Sequence, residues 1–205
     1  MTTWDERFRA GEYPQNPDPA PLLVRYVRAL GGGRALDVAT GTGRNAVFLA
    51  GEGYRVDALD QSRAGLEIAR ENARDRGVAD RVNWVQADVP TYCFPTDTYD
   101  LVTVSFYRAV DRFPDLKAAL APGGVLFVEH HLRTTDEMES GPSGDRYRFG
   151  ANELLGACAD LTVLHYEEGI ERRADGRRGT VARIVARNST GQSQSYPSVS
   201  RPSRE

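Results

Sequence analysis

The sequence predicts an α/β protein: a doubly wound, mostly parallel seven-stranded sheet closed by an antiparallel hairpin. Three observations predict it. From Arg34 to His131, short β-branched runs alternate with stretches of helical period, the pattern of parallel strands joined by crossover helices. A glycine-rich turn, ATGTGRN, links the first strand of this series to its first helix, and such turns serve folds that hold nucleotide cofactors. After Leu161, two strand-like runs flank a charged turn centred on Asp175 and Gly176, which reads as a hairpin.

The elements follow in order. Pro21 to Leu30 places Leu22, Leu23, Tyr26, Val27 and Leu30 at helical spacing, with Pro21 suited to a first turn and three glycines ending the helix. RALDVA is a short buried strand, RNAVFLAGE a helix and YRVDALD a second strand. SRAGLEIARENARDR is an amphipathic helix with Ser62 as its cap. RVNWVQAD and YDLVTVSF supply strands three and four, Phe113 to Leu120 a helix, and GGVLFVEHH a fifth strand. NELLGACA is a further helix before the hairpin strands. Residues 1–30 are thus an N-terminal segment and helix, and 31–187 the sheet domain. Residues 188–205, rich in Ser, Gln, Pro and Gly, read as a disordered tail with too few apolar groups to offset the entropy of ordering.

Composition narrows the function. A chain of 205 residues, 40% hydrophobic and 27% charged, fits one globular domain. A formal charge of -3 gives no basic excess for a phosphate backbone, so nucleic acid is not an expected partner. Cys93 and Cys158 lie far apart and read as free thiols of a reducing, cytoplasmic setting, with no metal cluster in the sequence. The charged opening MTTWDERFRAGEYP is no signal peptide, and no apolar window approaches the roughly eighteen residues of a membrane span.

The turn itself is ambiguous. Gly41, Gly43 and Ala46 match a dinucleotide G-x-G-x-x-A pattern, and a ligand-free tight turn is the bland alternative. The acids around it narrow the choice. Asp37 sits within the first strand, where a carboxylate needs a partner, such as a cationic or donor-rich ligand. Asp60 ends the second strand, 17 residues after Gly43, where it can accept the hydroxyls of a ribose. Asp88 ends the third, where its side chain and the Val89 amide could grip an adenine edge or the acid could simply cap a helix. Three strand-end acids fit a ligand with ribose, adenine and an amino group better than a dinucleotide.

LDVATGTGRNAVFLA, VDALDQS, WVQADV, YDLVTVS and LAPGGVLFVE, in that order, resemble the successive motifs of class I S-adenosylmethionine-dependent methyltransferases over roughly Arg34 to Arg187, hairpin included. GRNAVFLA and YEEG resemble the tellurite-resistance-type (TehB-like) enzymes, and WDERFRAGEYP the opening of thiopurine, thiol and halide methyltransferases. The resemblance implies S-adenosyl-L-methionine as cofactor, held in a Rossmann-like fold. It implies Asp37, Ala39, Gly41 and Gly43 at the methionine end, Asp60 and Gln61 at the ribose, and Asp88 with Val89 at the adenine. Thr40, Asn45, Ala87 and Ser105 complete the implied cofactor-binding set, and Phe106 would flank the methyl-transfer region with Ser105. The family commonly has Gly-Cys where this chain has Ala39-Thr40.

Methyl transfer from a sulfonium asks mainly for positioning and desolvation of the nucleophile. His130 and His131, at the end of the fifth strand, are candidates on the acceptor side, though adjacent strand residues point to opposite faces and at most one should reach a given pocket. Tyr107 is a third candidate. Tyr147, Arg148 and Phe149 close a Gly-rich loop that resembles the family's lid-like segment. Arg172, Arg173, Arg177 and Arg178 crowd the hairpin turn, where charged residues are usually solvated; the resemblance to tellurite-type enzymes implies an anion-holding role for Arg173. Trp4, Phe8 and Tyr13 are expected to fold over the cofactor as a lid, the alternative being a frayed tail. The expected activity is methyl transfer to a small nucleophile (thiol, halide, metalloid oxyanion or another metabolite) by a monomer or homodimer. The alternative is a catalytically inactive S-adenosylmethionine-binding module acting as sensor or partner subunit.

Overall fold

A computed structural model describes residues 3–172 and 176–199. The chain divides into two compact units, Met1–Cys93 with Gln192–Glu205, and Phe94–Gly191. Its seven strands make the mixed α/β sheet expected from the sequence, three strands in the first unit and four in the second.

The first unit begins with a helix the sequence reading did not place, α1 (Trp4–Arg9). Its signal is the Thr3-x-x-Glu6 capping box: Glu6 N–H donates to Thr3 Oγ1 at 3.2 Å and Thr3 N–H to Glu6 Oε2 at 2.7 Å. Helix α2 (Pro21–Val27) follows, with Leu22, Leu23, Tyr26 and Val27 buried. Strands β1 (Arg34–Val38), β2 (Arg55–Asp60) and β3 (Val82–Gln86) are parallel in the order β3-β2-β1. Helix α3 (Arg44–Gly51) joins β1 to β2, and α4 (Arg63–Asp75) joins β2 to β3. Ser62 caps α4 as expected, its hydroxyl accepting the Gly65 amide at 3.1 Å, an interaction worth about 1 kcal/mol. Leu36, Val38, Leu49, Ala58, Leu59 and Leu66 are buried almost completely.

In the second unit, β4 (Tyr99–Ser105) pairs in parallel with β5 (Leu120–His130) across helix α5 (Phe113–Ala118). Helix α6 (Glu153–Ala157) precedes β6 (Thr162–Arg172) and β7 (Arg178–Arg187). The strand order is β4-β5-β7-β6, and β7 is antiparallel to both its neighbours, so the predicted hairpin forms the end of the sheet. Ordered pairing runs past Arg187: Asn188 N–H donates to Gly124 O at 2.8 Å, and its Nδ2 to Leu120 O at 3.1 Å.

On one face of the hairpin, the in-register rung Glu129, Arg183, Glu167 carries charge. Arg183 donates to Glu129 at 3.1 Å, Glu167 at 2.9 Å and Glu171 at 2.6 Å, and Glu129 is 1% exposed. Burial alone would lower the Arg183 pKa, but the bonds to Glu167 and Glu171 hold it above the ordinary arginine range.

Candidate functional site

The glycine turn between β1 and α3 is shaped by two carboxylates. Asp37 Oδ2 accepts the Thr40 hydroxyl at 2.5 Å and the Ala46 amide at 3.2 Å, and the acid is 2% exposed. The partner a buried strand acid requires thus comes from the turn and the start of α3. Asp60 braces the other side, accepting Gly41 N–H through Oδ2 and Ser62 N–H through Oδ1, both at 2.8 Å. Burial raises the Asp60 pKa; its amide bonds oppose that, and the nearby charge of Asp5 adds to it. The Asp60 carbonyl also accepts the Ala87 amide at 3.1 Å, bringing the end of β3 alongside.

The two glycines have separate uses. A Cβ on Gly43, at φ 84°, would lie 2.9 Å from Ala69 Cβ and 3.1 Å from Val47 Cγ2, so its absence lets α4 approach the turn. Gly41, at φ 55°, faces the ring of Phe8, whose Cζ would be 3.4 Å from an added Cβ. Ala39 also holds a left-handed φ of 55° without being glycine.

The N-terminal segment is built onto this turn. Phe8 is 7% exposed and packs on Gly41 and Gly65. Asp5 accepts the Ser62 hydroxyl at 2.5 Å and the Ala64 amide at 3.2 Å, bonds that hold its carboxyl below the usual range. Buried Asn72 on α4 donates to Gln15 O at 2.6 Å and Thr42 O at 2.9 Å, and the Thr42 hydroxyl to Pro14 O at 3.0 Å. Trp4, Phe8 and Tyr13 form an aromatic cluster with centroids 5.2 to 6.2 Å apart, and the Arg7 guanidinium lies over Trp4 and Tyr13. Asp5 and Ser62 as a pair were missed from sequence, because a contact 57 residues apart leaves no local pattern.

Within this unit the structure gathers Asp37, Ala39, Thr40, Gly41, Gly43, Asn45, Asp60 and Ala87 around one turn. Asn45 is buried, its Oδ1 accepting the Ala20 amide at 3.2 Å. Gln61 and Asp88 are exposed, while Val89 is buried. The Asp88 carboxylate makes no hydrogen bond among the described residues, and the Asp88 carbonyl accepts the Thr91 and Tyr92 amides.

The second unit holds the remaining candidates at the ends of β4 and β5. Phe106 follows Ser105 at φ 55° with 39% exposure, its amide donating to Glu129 O at 2.9 Å. Its ring lies 5.0 Å from that of His131. His130 is 2% exposed, and its Nδ1 accepts the His131 amide at 2.7 Å. Burial lowers the His130 pKa to about 4, with the charge of Arg108 adding to the effect. A neutral imidazole accepting at Nδ1 carries its proton on Nε2, so His130 can donate there and has no lone pair left to act as a base. Tyr107 and His131 are half-buried. Arg173 and Asp175 lie outside the described residues.

Comparison with known proteins agrees with this architecture. Residues 35–124 match the family model described as a methyltransferase domain. The UbiE ubiquinone/menaquinone biosynthesis C-methyltransferase of Azotobacter vinelandii is 33% identical over 133 residues, 61% of this chain and 52% of that protein. The chain therefore spans about half the length of such curated relatives. The TehB structure from Haemophilus influenzae superposes with a TM-score of 0.72 at 19% identity, covering 89% of this chain and 66% of that one. Phosphoethanolamine N-methyltransferase 2 of Haemonchus contortus, solved in complex with S-adenosyl-L-methionine, gives a TM-score of 0.66 at 14% identity, covering 93% and 61%. The acid-braced glycine turn, the terminal hairpin and these matches agree: the chain has the fold of class I S-adenosylmethionine-dependent methyltransferases, and residues 35–124 resemble a methyltransferase domain.

Proposed function

We propose that the protein transfers a methyl group from S-adenosyl-L-methionine to a small-molecule nucleophile in the cytoplasm. The observation that carries this reading is the turn pinned by Asp60 through Gly41 N–H, set within the family match. The residues suit the cofactor. The Asp60 oxygens accept the Gly41 and Ser62 amides, and a carboxylate, with about four lone-pair sites, has capacity for a ribose hydroxyl as well. Asp88 offers an exposed carboxylate, and Phe8 gives the turn an apolar roof. Asp37 and Thr40 hold the turn's shape. Gln61, Val89 and Ser105 remain proposed cofactor contacts, and Tyr107, His131 and Arg173 proposed acceptor-side residues.

When bound, the cofactor supplies an electrophilic methyl with its own leaving group. The chain's residues have to bind, orient and keep water away. Helix α1 and residues 13–16, anchored through Asp5, Thr42 and Asn72, are proposed to form one wall that excludes water. His130, held neutral, is proposed to orient its neighbours by donating from Nε2 rather than to take a proton.

Similarity to the UbiE enzymes raises quinone C-methylation as one form of the reaction, whereas the thiol, halide and metalloid acceptors belong to the TehB-like resemblance. A labelled-methyl assay across quinols, thiols, halides, selenite, tellurite and organic acids tests the reading, with transfer to at least one class expected. Stabilisation by about 2.7 kcal/mol is expected at a hundred times the dissociation constant of the cofactor. Stabilisation by a nicotinamide dinucleotide instead would reject it. Cofactor binding with no transfer to any acceptor would favour a sensor module.

A further inference from the structure

We infer that the second unit carries a site for an organic acid, and that Arg148 makes the acceptor a carboxylate-bearing molecule; this rests on the methyltransferase reading and names its substrate class. Arg108, Arg133 and Arg148 all lie in the chain between the end of β4 and the start of α6. Arg108 pairs with Glu153 and stands over the Phe149 ring at 5.5 Å. Glu153 Oε2 accepts the Gly150 amide at 2.7 Å, and a Cβ on Gly150 would sit 3.5 Å from that oxygen and 3.8 Å from Arg133 Nη1. A Cβ on Gly141 would sit 3.3 Å from His131 Nδ1 and 3.5 Å from Arg148 Nη2, so the loop brings imidazole and guanidinium together. Asp145 enters only through its backbone carbonyl, which accepts Arg133 Nε at 3.0 Å.

Charge is therefore left over. Among the described residues Glu153 is the carboxylate bonded to Arg108, and no carboxylate is bonded to the Arg148 guanidinium, which donates to Pro142 O. The Nε–H groups of Arg108 and Arg148 are enclosed and make no hydrogen bond in the described structure. A buried donor without an acceptor is a cost that a bound anion removes, and the planar Nε/Nη fork matches a carboxylate in two parallel bonds. Arg148 keeps one Nη2 bond, to Pro142 O at 2.9 Å, which fixes the plane of the fork. Phe106, a half-exposed ring held at a positive φ beside His131, supplies an apolar wall for the body of the ligand. That wall argues for an organic acid over a bare inorganic oxyanion.

The test uses the full chain saturated with S-adenosylhomocysteine and measures by calorimetry the binding of para-mercaptobenzoate, its uncharged carboxamide and sulfate. The acid is expected to bind about tenfold or more tightly than the amide, the range of a charge-assisted hydrogen bond. Arg148→Gln should reduce that ratio to about threefold or less and Arg148→Lys restore part of it, with S-adenosylhomocysteine affinity unchanged in both. Equal binding of acid and amide to the wild type, or an unchanged ratio in Arg148→Gln, would overturn the inference, as would sulfate binding as tightly as the acid. Failure of S-adenosylhomocysteine to bind the wild type would instead remove the methyltransferase reading beneath it.

Discussion

Ala39 holds a φ of 55° at the position where the family commonly has glycine. A Cβ in the left-handed region costs about 1–2 kcal/mol, of which glycine returns part to chain entropy. Ala39→Gly should stabilise the fold by about 0.5–1 kcal/mol in urea denaturation. His130 bears on acid stability. Its folded pKa, lowered to about 4 from 6.5, means the unfolded chain binds the extra proton between those values. Stability from this residue is therefore full above pH 6.5 and is lost as pH falls toward 4. His130→Gln should show a shallower decline than the wild type over that window, read from denaturation curves at a series of pH values. The sequence announced both positions, one by its departure from glycine and one by its place at a strand end. Neither backbone angle nor burial could be read there, because both depend on distant neighbours.

At the scale of elements, the hairpin was legible from two β-branched runs and a charged turn, and the capped helix α4 from Ser62. Helix α1 escaped because its six residues carry little apolar periodicity, although the Thr3-x-x-Glu6 signal was present. The Arg183 rung was hidden for another reason: β5, β7 and β6 come together only through the antiparallel register. Removing that guanidinium takes its 3.1 Å bond away from Glu129, which is 1% exposed. Arg183→Leu should cost about 3–5 kcal/mol, the range for breaking one side of a buried pair. Urea unfolding would measure it, and a loss under 1 kcal/mol, the range of surface pairs, would mean that the rung behaves as solvated surface.

For the whole molecule, the strand-helix alternation announced the class of fold, and the motif acids pointed to the glycine turn proposed to hold the cofactor. What the sequence did not disclose was how the acids are used: Asp37 is satisfied by Thr40 and the start of α3, so it keeps the turn in shape, and Asp60 carries the direct link to Gly41. The two thiols give a reading of global opening. Cys93 is exposed, whereas Cys158 is buried with its pKa pushed by burial up to about 12. One thiol should react promptly with Ellman's reagent at neutral pH, and the second only as fast as the structure opens. Two prompt thiols would show that the fold around α6 breathes freely.

The anchoring of residues 3–16 also has a practical consequence for how the protein is handled. Phe8 rests on Gly41, and Asp5 is tied to Ser62 next to Asp60. A purification tag fused ahead of Thr3 would start next to a helix that packs on the glycine turn, and could crowd it. Ligand affinities measured on an N-terminally tagged preparation should be repeated after cleavage, since a weakened value there would report the tag and not the enzyme.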